Sequence, residues 1–92
     1  MKKYKNRRSD VLMEALDLIN GDREKVYGTP KENFTKIAEL WSVYTGYNFK
    51  ATDVCNMMVL LKMARLKNGA HIDSSVDAAG YAALAVEVSE PC

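Results

Sequence analysis

Apolar residues fill nearly every position between Val54 and Leu66, where only Asn56, Lys62 and Arg65 are polar. At helical spacing this run leaves no polar stripe that could face water. A helix that is apolar on almost all sides is typical of the middle of a small bundle. We therefore expect this segment to form the central helix of the fold.

Capping residues mark two helices before this segment. The first is predicted to begin at Ser9 and to end before Gly21. The second is predicted over Thr29–Gly46, because Thr29-Pro30-Lys31-Glu32 combines an N-cap threonine, a proline in the first turn and a capping-box glutamate. The apolar face of the first helix is predicted to comprise Val11, Leu12, Ala15, Leu16, Leu18 and Ile19.

Two further helices follow. The third is predicted to begin with Thr52 as its N-cap and to end at Gly69. The fourth is predicted to begin with Asp73 or Ser74 as its cap and to end near Ser89. Small side chains allow another helix to approach closely, and the fourth helix is rich in them: Ala78, Ala79, Gly80, Ala82, Ala83 and Ala85.

Taken together, these elements predict an all-α fold, a four-helix bundle in a single domain over residues 9–90. The leucine, methionine and alanine residues of the third and fourth helices exceed what one small monomer can cover. We therefore expect a homo-oligomer that assembles through the small-residue helix faces.

Residues 1–8 form a basic arm that carries five of the thirteen basic residues and no acidic one. The eight basic and twelve acidic residues that remain give residues 9–92 a net charge of −4. Such an arm can contact nucleic acid through phosphates. However, Tyr4 is its one aromatic residue, so base stacking has little support. We expect a solvated tail and no nucleic-acid partner.

The two cysteines lie far apart, Cys55 within the apolar helix and Cys92 at the last position, which argues against a disulfide framework. No apolar run approaches the roughly 18–20 residues that span a bilayer, and no hydrophobic region follows the basic N-terminus. These features favour the cytoplasm and exclude a membrane partner.

Four charged residues are predicted to meet near one end of the hairpin formed by the third and fourth helices. Lys62 and Arg65 share one helix face, as do Asp73 and Asp77. A turn around residue 70 brings Asp77 level with about residue 63. One interpretation is an ion-pair cluster that closes the hairpin. The other is a site in which the carboxylates bind a divalent cation and the basic side chains bind phosphates.

His71 is the single histidine and lies beside this cluster. It is either a general acid or base or an exposed loop residue. The sequence contains no Ser/His/Asp arrangement, no Walker-type glycine loop and no metal-spaced Cys/His pattern. This argues against acyl transfer, P-loop chemistry and zinc.

Residues 22–85 resemble a family of small phage and prophage proteins of unassigned function. More distantly, they are similar to phage nucleotide-modification-associated domains and to the all-α MazG-like nucleoside triphosphate pyrophosphohydrolases. The residues that carry the resemblance are Arg23, Tyr27-Gly28, Glu32-Asn33-Phe34, Ile37-Ala38, Leu40-Trp41, Asp53-Val54, Met57-Met58, Leu60-Leu61-Lys62, Arg65, His71, Asp73-Ser74, Asp77 and Gly80-Tyr81.

The MazG-like resemblance implies a helical oligomer that binds Mg²⁺ with clustered acids and cleaves an NTP between its α and β phosphates. It implies Asp53, Asp73 and Asp77 as metal ligands, with Asp73 and Asp77 as the catalytic pair that places water in line with a metal-bound phosphorus. Asn56 stands where that pattern has a carboxylate, which favours binding over hydrolysis.

The leading hypothesis is a MazG-like, phage-type nucleotide-handling protein in the host cytoplasm, which binds an NTP or another phosphorylated small ligand, with or without hydrolysing it. Lys62 and Arg65 are its phosphate-binding residues, while Tyr27 or Trp41 stacks the base and Asn33 hydrogen-bonds it. Each of these last three residues also has a core or capping interpretation. The alternative is a non-catalytic anti-defence protein that sequesters a nucleotide signal, including cyclic ones, or that binds and inhibits a host defence protein.

Overall fold

The structure is a computed structural model, and it describes residues 7–21, 28–69 and 71–89. Its four α-helices are Arg7–Ile19 (α1), Pro30–Thr45 (α2), Ala51–Arg65 (α3) and Ile72–Ser89 (α4), and a 3₁₀ turn at Leu66–Asn68 follows α3. The predicted all-α fold of four helices is confirmed.

The start of α2 forms the predicted capping box. The Thr29 hydroxyl accepts from the Glu32 backbone N–H at 3.2 Å, and Glu32 Oε1 accepts from the Thr29 backbone N–H at 2.9 Å. The hydrogen bonds from the Thr29 backbone and hydroxyl stabilise the carboxylate and lower the pKa of Glu32. At the other end, Gly46 has a φ of 82° and donates its N–H to the Ser42 carbonyl. Both predicted ends of α2 are confirmed.

The starts of α1 and α3 differ from the prediction. α1 begins at Arg7, so two residues of the predicted arm lie in a helix and residues 1–6 lie outside the described residues. α3 has Lys50 as its N-cap, and Asp53 Oδ2 accepts from the Lys50 N–H at 2.8 Å. The prediction of Thr52 as the cap is wrong. The helix begins earlier, because the Asp53 side chain, three residues after Lys50, accepts the hydrogen bond from the Lys50 backbone N–H.

α4 begins two or three residues earlier than predicted, directly after His71. The His71 carbonyl accepts from the Ser75 N–H, and its ring Nδ1 accepts from the Ser74 N–H at 3.2 Å. His71 therefore occupies the N-cap position. The prediction of Asp73 or Ser74 as the cap is wrong, since both residues lie inside the first turn.

The helix at the centre of the fold is α4, which packs against α1, α2 and α3. α3 runs antiparallel to it, because Val54 shares the core with Val88 while Lys62 pairs with Asp77. α2 covers the hairpin at one end, and α1 packs on α4. The expectation that α3 is central is wrong: the small side chains of α4 allow closer neighbours than the leucines and methionines of α3.

The hydrophobic core lies where α2, the first half of α3 and the last turns of α4 meet. Its buried residues are Phe34, Ala38, Val54, Cys55 and Val88. α1 contributes Ala15, but Leu12, Leu16 and Leu18 are exposed, so much of the predicted apolar face of α1 remains open. Among the helices described, none is long and apolar enough to cross a membrane.

Candidate functional site

A pocket of about 170 Å³ lies between the C-terminal end of α1, the N-terminal end of α2 and the middle of α4. Asn33 and Asp77 are the amide and carboxylate side chains in its lining. The remaining walls are mostly apolar, and they include Leu18, Ile19, Pro30, Phe34, Val76 and Leu84. An apolar pocket with few polar groups is the usual form of a small-molecule site.

Two glycines allow the helices to converge on this pocket. A Cβ on the buried Gly80 of α4 would lie 3.4 Å from Ile19 Cγ2, so the missing side chain lets α1 approach α4 closely. Gly28 has a φ of 83°, and a Cβ there would lie 3.0 Å from Glu32 Oε1. Glycine at this position therefore leads the chain into α2 at the edge of the pocket.

Phe34 and Tyr81 form an aromatic wall. Their ring centroids lie 6.1 Å apart at an interplanar angle of 72°, an edge-to-face arrangement. Asn33 precedes Phe34 in the first turn of α2 and is half-buried. Within the described residues its side-chain amide has no hydrogen-bond partner. The wall therefore offers a ligand a flat apolar surface and a group that both donates and accepts.

The predicted meeting of opposite charges is confirmed for one pair. Lys62 Nζ lies 3.0 Å from Asp77 Oδ2, with 16% of the Lys62 side chain and 37% of the Asp77 side chain exposed. Arg65 and Asp73 are exposed, and within residues 7–21, 28–69 and 71–89 neither forms an ion pair. Asp77 therefore connects the hairpin ion pair to the pocket, while the other two charges remain in solvent.

The structure does not bring together the three carboxylates implied as Mg²⁺ ligands. Asp53 caps α3, Asp73 is exposed in the first turn of α4 and Asp77 pairs with Lys62. In the part of the chain that the structure describes, no group of three or more His, Cys, Asp or Glu could hold a metal ion. These residues do not fit a MazG-type metal centre.

Three further candidates lie elsewhere or have another role. Trp41 packs against the core beside Phe49, at a centroid distance of 6.1 Å and an angle of 87°, and is not part of the pocket lining. Tyr27 lies outside the described residues. His71 caps α4, and its Nδ1 lies 2.6 Å from the Ser74 hydroxyl. The geometry thus provides a structural explanation for Trp41 and His71.

The sequence analysis includes Tyr81 in the family resemblance but does not predict it as a binding residue, although it lines the pocket. The available signal is its spacing of four residues from Asp77, which puts both side chains on one face of α4. Cys55 is fully buried, and desolvation raises the pKa of its thiol to about 11. A thiolate nucleophile at that position is therefore absent near neutral pH.

Comparison with known proteins places this chain in a family. Residues 10–89 match a family described as a domain of unknown function, DUF6378. The chain belongs to the DUF6378 family. This DUF6378 chain is similar to the Gene 55 protein of Mycobacterium phage L5, with 46% identity over 83 residues, and to the Gene 55 protein of Mycobacterium phage D29, with 47% identity over 81 residues.

The alignments cover 88% and 87% of the DUF6378 chain but 53% and 54% of the two phage proteins. The chain thus spans about half the length of the curated relatives it matches. No solved structure gave a match. The predicted relation to phage proteins is confirmed, whereas the relation to MazG-like enzymes stays a prediction.

Proposed function

We propose that this DUF6378 chain binds a nucleotide or a similar phosphorylated ligand, with one ring system of the ligand in the pocket between α1, α2 and α4. The observation that carries the proposal is that the mostly apolar pocket is lined by both the Asp77 carboxylate and the Asn33 side-chain amide, which has no hydrogen-bond partner among the described residues. A nucleobase has this mixed character, since its faces are apolar and its edge carries hydrogen-bonding groups.

The size of the pocket defines how much of the ligand it encloses. Its volume of about 170 Å³ is below the roughly 300 Å³ at which pockets for whole drug-sized ligands begin. A base or a ribose therefore fits, and the rest of the ligand lies outside. The edge of the base would contact Asn33, its face would contact the ring of Tyr81 or Phe34, and Asp77 would accept from a hydroxyl or an amino group.

Phosphates would lie toward α3. The Lys62 ammonium has three donors, of which the contact with Asp77 occupies one. Arg65 lies three residues further along the same helix and is exposed, so a phosphate could contact both cations. In this arrangement Asp77 holds Lys62 in place until a ligand supplies a second anion.

The residue set favours binding without turnover. MazG-like hydrolysis needs clustered carboxylates around Mg²⁺, whereas the lining of the described pocket includes a single carboxylate, Asp77, already paired with Lys62. A phage protein that binds but does not cleave a nucleotide would sequester it. The anti-defence alternative, capture of a linear or cyclic nucleotide signal, therefore uses the same pocket.

The test is a thermal-shift screen, followed by calorimetric titration, of NTPs, dNTPs, nucleosides and cyclic di- and trinucleotides, each with and without Mg²⁺. A ligand that binds the native state raises the Tm. We expect Asn33→Ala and Asp77→Asn to weaken the positive ligand about tenfold or more, the loss of about one hydrogen bond to a charged or buried partner. Asn56→Ala and Glu87→Gln are the matched controls, since both residues are exposed and outside the pocket lining.

The proposal fails if no compound in the screen shifts the Tm, or if the pocket variants bind as tightly as the controls. The ligand recovered after incubation separates the two functions. An intact nucleotide supports sequestration, whereas pyrophosphate released from an NTP in the presence of Mg²⁺ supports the hydrolase.

A further inference from the structure

The side of α3 that faces away from α2 and α4 is exposed and mostly apolar. Met57, Leu60, Leu61 and Met63 expose 40%, 64%, 52% and 55% of their surface, and Ala64 beside them is also exposed. A group of neighbouring, exposed, large apolar side chains marks a surface that binds a partner. The buried residues Val54 and Cys55 lie on the opposite side of the same helix.

The outer side of α3 has the spacing of a helix-pairing seam. Asp53, Met57, Leu60, Ala64 and Lys67 follow one another at alternating intervals of four and three residues. This seven-residue repeat keeps them on one line along the helix and its 3₁₀ extension. The seam begins with an acid, has apolar residues in the middle and ends with a base.

This order of charges is self-complementary in one orientation only. In an antiparallel pair of α3 helices centred on Leu60, Asp53 of each copy lies opposite Lys67 of the other copy. The two Leu60 side chains then lie opposite each other. A parallel pair would instead place acid beside acid and base beside base. We infer that α3 is the interface of an antiparallel homodimer. The two copies are related by a two-fold axis, because the same surface of each copy contacts the other.

The geometry of Asp53 is compatible with both a cap and an interface contact. Its Oδ2 accepts from the Lys50 N–H, which leaves Oδ1 for the Lys67 ammonium of the second copy. The seam from residue 53 to residue 67 is about 21 Å long at 1.5 Å per residue. A contact of one helix pair is small, so the dimer is in a concentration-dependent equilibrium with the monomer.

Another apolar face lies on α4, where Ala82, Ala83 and Val86 are exposed. This is the small-residue face on which the sequence predicts oligomerisation. No lysine or arginine lies in α4, so the face has no acid-to-base order along the helix that would pair with itself. It therefore serves as the matched control surface.

Sedimentation velocity across a wide concentration range tests the interface. We expect wild type to convert from monomer to dimer as its concentration rises. Leu60→Asp should raise the dimer Kd by at least about thirtyfold, as loss of a central interface residue does, while Val86→Asp leaves it unchanged. Lys67→Glu should raise the Kd about tenfold, and Lys36→Glu, an exposed lysine on α2, should have no effect.

Disulfide crosslinking tests the symmetry and does not depend on a destabilised variant. In a Cys92→Ser background, Leu60→Cys should form a covalent dimer on mild oxidation because residue 60 lies beside its own copy. Val86→Cys should remain monomeric. A wild-type monomer at every concentration, or crosslinking at residue 86 rather than 60, overturns the inference.

Discussion

Burial determines what the single thiol in the core can do. Cys55 is fully buried between α2, α3 and α4, and desolvation raises the pKa of its thiol from 9.0 to about 11. In the unfolded chain the same thiol ionises near its ordinary pKa. The folded state therefore holds this proton over a pH range in which the unfolded state releases it.

The stability of the protein should accordingly fall as the pH rises from about 9 to about 11. The unfolded state binds fewer protons in that range, so the free energy of unfolding decreases, by up to about 1 kcal/mol per pH unit for one group. Urea unfolding of wild type and Cys55→Ala at a series of pH values measures the effect, since titration of tyrosines and lysines cancels in the difference. The difference in stability should shrink with rising pH; a constant difference would contradict the raised pKa.

At the scale of helices, the approach of α1 to α4 depends on Gly80. A methyl group at this position would lie 3.4 Å from Ile19 Cγ2, at the edge of ordinary contact, whereas a larger side chain would have to displace Ile19 or extend into the pocket. Gly80 also lines the pocket. One residue therefore contributes both to the packing of two helices and to the lining of the candidate site.

We expect Gly80→Ala to keep or raise the Tm, because alanine in a helix interior is favoured over glycine by about 0.5–1 kcal/mol. Gly80→Leu should lower stability by about 1–3 kcal/mol through overpacking and should also abolish ligand binding. Thermal unfolding and the titration described above measure both effects. Equal stability and equal binding of the two variants would show that α1 adjusts its position freely.

The same scale shows which helix ends can be predicted from local sequence. Thr29 and Glu32 have the residue types and spacing of a capping box, and they form one. The predictions for the starts of α3 and α4 are wrong because Lys50 and His71 are not usual cap residues. The Asp53 carboxylate accepts a hydrogen bond from the Lys50 backbone N–H, and the His71 ring nitrogen accepts one from the Ser74 backbone N–H.

The candidate site could be predicted only in part, for a related reason. Lys62 and Asp77 lie in one hairpin, so their pairing follows from the register of two consecutive helices. The pocket also needs the end of α1 to meet α2 and α4, and such a contact between distant segments leaves no short-range signal. From the sequence, Trp41 has both a base-stacking and a core interpretation, and its packing against the core beside Phe49 favours the second.

For the whole molecule, the distribution of buried residues separates α1 from the rest. The core unites α2, α3 and α4, whereas α1 packs mainly on α4 and has Ala15 as its one buried residue within Arg7–Ile19. Elements with few buried apolar contacts open at lower free energy than the core. α1 should therefore be the least stable of the four helices.

Native-state hydrogen exchange measures this difference. We expect amides in the middle of α1 to exchange through a local opening of that helix. The free energy of this opening should be at least about 1 kcal/mol lower than that of the global unfolding that exposes α3 and α4. The α1 amides should therefore exchange about fivefold faster or more. A ligand in the pocket contacts the end of α1 and should slow that exchange. Equal protection of α1 and α4 in the free protein would show instead that the four helices unfold as one unit.

The position of Trp41 has a practical consequence for spectroscopy. It is the one tryptophan of the chain, and it lies against the core beside Phe49, outside the pocket lining. Its emission spectrum is therefore a built-in reporter of the α2–α3 core, and it will shift when that core is exposed to solvent. A ligand that enters the pocket meets Tyr81 instead, so tyrosine absorbance is the intrinsic optical signal for binding.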